Sequence, residues 1–121
     1  MMQTPDEKTI ECCVTFLSAE EGGRTHPLGH GALSNYRYRP HFVVGDPKQR
    51  EAKLEKNVIQ EEYLGVAFIL GPDIVENNQP LQALVCLVYP NVDYSQLTVG
   101  ATFTIREGGR IVGYGEVIKA A

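Results

Sequence analysis

Apolar and polar residues alternate along much of the chain in the pattern of β-strands. Within Ile10–Leu17, apolar side chains recur at every second position, which is the period of a half-buried strand. Segment 101–106 alternates more cleanly, so we expect Phe103 and Ile105 to point inward and Arg106 to point outward. These two segments predict the first and fifth strands of a β-rich domain.

Segments 63–70 and 82–89 are almost continuously apolar, and glycine and proline bound them, which is typical of strands with little solvent exposure. Together with 40–44 and 110–118 they complete a set of about six strands separated by turn signals. That pattern predicts a small all-β barrel or sandwich. Its inward-facing residues are expected to include Val14, Phe16, Val66, Phe68, Leu84, Cys86, Phe103 and Ile105.

A charged segment interrupts the strand pattern. It contains no β-branched residue, Asp46 can cap a helix, Pro47 suits the first helical position, and Gln49 completes a capping box. The segment therefore predicts a short helix over about 47–56, inserted between two strands. Because its charges nearly cancel, a solvated surface helix is favoured over a binding tail.

The tetrapeptide Glu-Gly-Gly-Arg occurs twice, at 21–24 and 107–110, and each copy follows a predicted strand. Paired glycines supply the positive φ angles of tight turns, whereas Gly113 and Gly115 are expected to relieve crowding between bent strands. Arginine offers a fixed fork of donors, so these arginines either tie loop carbonyls together or bind carboxylate or phosphate groups. Five of the six lie in or near the turns: Arg24, Arg37, Arg39, Arg106 and Arg110.

Composition limits the functions that the chain can have. Its 121 residues suit one domain, which we place at 8–121 after a disordered N-terminal tail at 1–7. No apolar run approaches the roughly 18 residues of a membrane span, and the first residues lack a secretory pattern, so a cytoplasmic protein is expected. A net charge of −4 argues against a high-affinity nucleic-acid binder.

No residue pattern predicts catalysis, a metal or a cofactor. Cys12 and Cys13 are adjacent and the cysteine count is odd, which is a poor disulfide framework, so reduced thiols are expected. Cys86 lies in an apolar run and is expected to be buried and inert. Pro27 and Gly29 exclude the helix that would place His26 and His30 on one face as metal ligands, with or without His41.

Four blocks occur in a familiar order: Glu21–Pro27, Tyr38–Phe42, Tyr89-Pro90 and Phe103–Val117. They resemble the C-terminal third domain of bacterial elongation factor Tu, and the resemblance covers about Lys8–Ala120. It implies a closed six-stranded antiparallel β-barrel, in agreement with the strand count. The sequence holds no G-x-x-x-x-G-K-[ST] phosphate loop, so we expect a stand-alone, non-catalytic copy of this accessory domain without a GTPase domain.

In that family the domain contacts the T-stem of aminoacyl-tRNA, the GTPase domain and the exchange factor. The resemblance carries RNA-binding or partner-binding positions over to Arg39, Glu107 and Gly108, whereas His41 replaces a glutamine that helps to bind RNA. The family's threonine-rich turn is replaced here by the charged insertion, which could cover the surface.

Two functions compete at this point: a protein-interaction module that docks on a translation GTPase, another factor or a second copy, and a weak tRNA-binding module. The apolar strands favour the first, because an outer apolar face needs cover. Any tRNA binding, through a patch of Arg39, Arg106 and Arg110, is expected to be weak and salt-sensitive.

Overall fold

The computed structural model describes residues 8–59 and 61–120, so the predicted disordered tail at 1–7 lies outside the described residues. Within that part of the chain there is no α-helix, and a single 3₁₀ turn covers Ala19–Glu21. The strands are β1 Lys8–Phe16, β2 His41–Val44, β3 Leu54–Glu55, β4 Val58–Ile59, β5 Leu64–Gly65, β6 Ala67–Leu70, β7 Leu81–Leu87, β8 Thr102–Glu107 and β9 Arg110–Ala120.

Seven strands form one curled antiparallel sheet in the order β5-β2-β8-β9-β1-β7-β6. Its two edge strands, β5 and β6, are separated in the chain by Val66 alone, so the sheet must curl to bring its edges together. Across that gap, Val66 N–H donates to Pro40 O at 3.1 Å and Phe68 N–H donates to Tyr38 O at 3.0 Å. The curled sheet therefore forms a half-barrel, which resembles a β-barrel but is not closed by pairing between its edge strands.

The all-β class and the six predicted strand positions are confirmed, but the closed six-stranded barrel is wrong. The segment predicted as one strand at 63–70 is divided at Val66, because β5 pairs with β2 whereas β6 pairs with β7. The sheet therefore has seven strands, and neither half of the divided strand pairs on both sides.

Phenylalanines fill the concave face of the sheet. Phe42 and Phe103, on neighbouring strands, stack with ring centroids 4.0 Å apart, and Phe68 meets Phe42 edge-on at 6.1 Å. Such pairs add to the free energy gained by burying their apolar area. The core confirms six of the predicted inward residues: Val14, Phe16, Val66, Phe68, Phe103 and Ile105.

The predicted inward direction of Leu84 and Cys86 is wrong. Antiparallel partners share a face, and Val85 is opposite Ile10, so Val85 and Ala83 are the β7 residues that enter the core. A run that is apolar at nearly every position cannot show which alternate set points inward. Leu84 is half-buried on the outer face, and Cys86 is fully buried although it lies outside the core cluster.

The predicted helix at 47–56 is also wrong. Strands β3 and β4 form a separate two-stranded hairpin in this region. Lys56 and Asn57 connect them with φ angles of 51° and 64°, the two positive values that a type I′ turn requires.

The helix-start signal is present but the helix does not continue. Asp46 accepts the N–H of Lys48 on its carboxylate at 2.8 Å, and its carbonyl accepts the N–H of Gln49 at 3.1 Å. Farther on, Lys53 N–H donates to the Glu61 carboxylate at 2.8 Å instead of to a helical carbonyl. A distant acceptor thus overrides the local helix signal.

Two glycines let β9 lie close against its neighbours, as the sequence predicted. A β-carbon at Gly115 would lie 2.5 Å from the carbonyl oxygen of Cys13 and 2.8 Å from Cγ1 of Val14. At Gly113 it would lie 2.6 Å from the carbonyl oxygen of Thr15. Because the obstructing atoms include backbone of β1, the strand could not give way without shifting the sheet.

We expect Gly115→Ala to lower the free energy of unfolding by about 1–3 kcal/mol, the usual cost of overpacking a filled interior. Urea denaturation measures it. Gly109→Ala is the matched control, because nothing lies within 4 Å of a β-carbon there and its φ is outside the left-handed region. Equal stability of the two variants would contradict the packing argument.

Candidate functional site

Sheet pairing gathers the four residues that the resemblance singled out at one end of the sheet. His41 on β2 is opposite Arg106 on β8, and Glu107 and Gly108 follow directly in the β8–β9 hairpin. Arg39, two residues before His41, is exposed and donates through Nε to the carbonyl of Tyr36 at 3.0 Å. We call this region the hairpin end.

Tyr63 joins these residues, and the sequence analysis did not identify it. Its hydroxyl donates to the carbonyl of Gly108 at 2.9 Å, and its ring lies 5.5 Å from the His41 ring. The guanidinium of Arg106 lies 5.5 Å from the same ring. Gly108 itself has a φ of +60°, so a side chain there would strain the turn.

The Glu107 carboxylate is engaged within the chain. Arg24 Nη1 donates to it at 2.8 Å and the Tyr38 hydroxyl donates to the same oxygen at 2.5 Å. Burial, followed by the bond to Glu107, raises the pKa of Tyr38, so this hydroxyl keeps its proton and remains a donor. Part of the charge that Glu107 would present to a partner is therefore compensated by Arg24.

The two Glu-Gly-Gly-Arg copies interlock. Arg24 of the first copy pairs with Glu107 of the second, and Arg110 of the second donates to the carbonyl of Gly23 in the first at 3.2 Å. The repeat in the sequence was the available signal for this contact, although spacing alone could not show that the copies meet.

Arg106 and Glu61 form a bidentate ion pair on the outer face of β8. Nη1 and Nη2 each donate to one carboxylate oxygen at 2.9 Å, and Nε donates to Oγ1 of Thr104 at 2.8 Å. The side chain of Arg106 is 0% exposed and that of Glu61 is 7% exposed. Gln49 Nε2 and Lys53 N–H donate to the same carboxylate at 2.8 Å each.

These contacts shift the titration of both partners. Hydrogen bonds from Arg106 lower the pKa of Glu61 to about 2, although partial burial acts in the opposite direction. Burial alone would lower the pKa of Arg106, but its hydrogen bonds to Glu61 and Tyr63 outweigh burial and raise it. The pair is therefore fully ionised at neutral pH.

The prediction of a basic patch formed by Arg39, Arg106 and Arg110 is wrong for Arg106. Arg106 points outward as predicted, but it is buried and neutralised by Glu61. The alternative that arginines tie loop carbonyls together is confirmed for the other four, whose acceptors are His26 for Arg24, Gly31 for Arg37, Tyr36 for Arg39 and Gly23 for Arg110.

An open polar depression of about 280 Å³ lies at the hairpin end, and residues of the two interlocked Glu-Gly-Gly-Arg copies form part of its lining. Arg24 and Arg110 contribute guanidinium groups and Glu107 contributes a carboxylate, and Thr25 and His26 complete the lining. Such a surface can hold a polar group in contact with water. It does not enclose a reactant.

A second surface lies across β9, β1, β7 and β6, on their outer face. Leu70 is 60% exposed and Ile118 is 41% exposed, and they border a depression of about 270 Å³ with Leu84, Glu11 and Gln82. Sheet register places Leu84 between Glu11 on β1 and Leu70 on β6. We call this surface the outer apolar patch.

The cysteines and histidines show no reactive arrangement in the described residues. No disulfide is present there, and Cys12 is buried, which together with Cys13 raises its pKa to about 12. That thiol stays protonated at neutral pH. His30 lies 3.5 Å from Asp73, and the residues described include no group of three or more metal-ligating side chains.

No protein-family model matches the chain. Among the described residues, no helix is both long and apolar enough to cross a membrane. The resemblance to elongation factor Tu stays a prediction from the four sequence blocks.

The ion pair predicts how stability depends on pH. Because the pKa of Glu61 is lowered on folding from 4.5 to about 2, its contribution is present above pH 4.5 and is lost as the pH falls towards 2. At pH 7 we expect Glu61→Gln to reduce the free energy of unfolding by roughly 2 kcal/mol, the value of a charge-assisted hydrogen bond.

Urea denaturation between pH 7 and pH 2.5 measures both effects. Glu62→Gln is the matched control, because Glu62 is exposed, and its effect should stay within about 0.5 kcal/mol. The wild type should lose more stability on acidification than Glu61→Gln does. Parallel pH profiles for the two proteins would show that the ion pair is not the cause.

Proposed function

We propose that the chain is a non-catalytic protein-interaction module of the elongation factor Tu third-domain type, which acts in translation in the cytoplasm. Its partner is a translation GTPase or another translation factor. The observation that carries this proposal is the outer apolar patch, where exposed leucine and isoleucine side chains border the same depression.

The patch has the chemistry of a docking surface. Leu70 and Ile118 expose apolar area next to half-buried Leu84, and Glu11 and Gln82 supply polar groups in the same depression. An apolar centre with a polar border is the usual composition of protein interfaces. Burial of these side chains by a partner would remove their area from water.

The polar groups of the hairpin end support a binding function rather than catalysis. Arg106 is paired with Glu61 and Arg24 with Glu107, so both carboxylates are already engaged within the chain. The pKa of the buried Cys12 thiol is shifted away from the thiolate form that a nucleophile needs.

Affinity capture from a bacterial lysate tests the docking surface. The wild-type chain should recover a translation GTPase or factor, whereas Leu70→Glu should lose it because a carboxylate would be buried in the interface. Val99→Glu is the matched control, since Val99 is 63% exposed and does not line the patch.

Loss of capture by Leu70→Glu alone would support the proposal. Equal capture by both variants would contradict it. A third outcome is that sedimentation gives a mass that rises with protein concentration and capture recovers a second copy of the chain. That result would show that the patch binds a second copy and not a translation factor.

A weak tRNA-binding module is the second candidate. The exposed guanidinium groups of Arg39 and Arg110 and the tight turn at Gly108 lie at the hairpin end, where Arg110 lines the open polar depression. Arginines and closely approaching backbone are the groups that contact phosphates. The net charge of −4 and the loss of Arg106 to an internal ion pair weaken this candidate.

For isolated chain and labelled aminoacyl-tRNA we expect a dissociation constant no tighter than roughly 10⁻⁴ to 10⁻⁶ M at physiological salt, the non-specific range. Titration at low and physiological salt measures it. Arg39→Gln should weaken binding, whereas Lys119→Gln, the same charge change at the far end of β9, should matter less. Nanomolar, aminoacylation-dependent binding would reverse the order of the two candidates.

A further inference from the structure

We propose that residues 46–59 together with Glu61 are a strap that opens as one unit while the curled sheet stays folded, and that opening uncovers Arg106. The strap runs from the end of β2 through the β3–β4 hairpin, and Glu61 anchors it to β8. It is a separate structural layer on the outer face of β8 and β9.

The described side chains of the strap lie outside the hydrophobic core. Among the side chains described at 45–58 and 61–63, none belongs to the core cluster or to the partly buried side chains that pack against it. Leu54 is 58% exposed and Val58 is 59% exposed. Segments with few buried apolar contacts are those that open below the global unfolding free energy.

Polar contacts hold the strap, and space remains beneath it. Gln49 and Lys53 bond to the Glu61 carboxylate, and the guanidinium of Arg50 lies 5.2 Å from the Tyr114 ring. Between the strap and the Val43–Gly45 end of β2 lies a hollow of about 430 Å³. A layer that rests on polar anchors over a hollow gains little from dispersion.

The free energy needed to open the strap is smaller than the direct attraction between Arg106 and Glu61. When it closes, the charges of Arg106 and Glu61 leave water, and the desolvation cost offsets most of their attraction. When it opens, both charges are hydrated again and the strap regains conformational entropy. The inner face of β2, β8 and β9 does not depend on the strap, because its partners are core residues on the sheet itself.

Opening would change the chemistry of the outer face. Arg106 is 0% exposed and Thr104 is 1% exposed beneath the closed strap. Once Glu61 leaves, the guanidinium fork is available to a carboxylate from another molecule, in the geometry that arginine prefers. The strap is in this sense a cover on a carboxylate-binding position.

Native-state hydrogen exchange of the full chain tests the inference. The amide of Lys53 donates to the Glu61 carboxylate, so its protection reports closure of the strap. It should exchange through an opening with little denaturant dependence, well before the amides of β1 and β9. Exchange of strap and sheet amides with one free energy and one denaturant slope would overturn the proposal.

Variants test whether the ion pair closes the strap. Glu61→Gln should accelerate exchange at Lys53 by roughly tenfold or more, as expected for loss of a charge-assisted hydrogen bond. Because global unfolding breaks the same ion pair, the β9 amides should accelerate by a similar factor and still exchange more slowly than Lys53. Glu62→Gln should leave the strap rate unchanged. Unchanged exchange at Lys53 in Glu61→Gln, or equal opening free energies for the strap and β9 amides in the wild type, would contradict a separate unit.

Chemical modification reports the uncovering itself. Phenylglyoxal should modify exposed Arg110 quickly and Arg106 slowly in the folded wild type, with Arg106 following the exchange rate of the strap amides. In Glu61→Gln the Arg106 rate should rise while the Arg110 rate is unchanged. Arg106 that is modified only on global unfolding would show that the strap does not open.

Discussion

The buried guanidinium of Arg106 is the constraint on which the outer half of the structure depends. A cation at 0% exposure requires a counter-ion and further acceptors, and Glu61 and Thr104 provide them. Glu61 in turn fixes the backbone at Lys53 and the side chain of Gln49. One charge on β8 thus determines the path of a segment that is remote from it in sequence, and it explains why that segment is not the helix its own residues favour.

Charge compensation also decides which surfaces remain available for binding. The carboxylates Glu61 and Glu107 are each matched by an arginine from a distant part of the chain. After these pairs form, the hairpin end presents Arg39 and Arg110 as its exposed cations among the arginines identified in the turns. Paired charges give a partner little to gain, because their existing contacts must first be broken. This is why the exposed side chains of the outer apolar patch carry the functional proposal.

The sequence was sufficient wherever one face of a strand is polar. Phe103 and Ile105 alternate with polar residues, so their inward direction followed from period two and was confirmed. On β7 both faces are apolar, and only pairing with β1 decides that Val85 rather than Leu84 enters the core. Sheet register is a property of two strands, so a pattern along one strand could not supply it.

In the candidate site, too, features set by neighbouring residues were predictable from the sequence, whereas contacts between distant residues were not. The turn at Gly108 was predictable, because paired glycines favour a tight hairpin, whereas the partners of Arg106 and Glu107 were not. Glu61 lies beyond the charged segment 47–56 that the sequence singled out, and nothing in its neighbourhood distinguished it from Glu62. Its partner lies 45 residues away.

The strap gives this distant pairing a functional meaning. A change between its closed and open forms alters the local charge of the outer face without altering the net charge of −4, because Arg106 and Glu61 separate but both stay ionised. A partner with a carboxylate could therefore compete with Glu61 for the same guanidinium fork. Such a partner would bind more tightly to any variant that weakens the strap, since it would no longer have to displace the internal ligand. The internal ion pair would then set the affinity of the outer face as well as its shape.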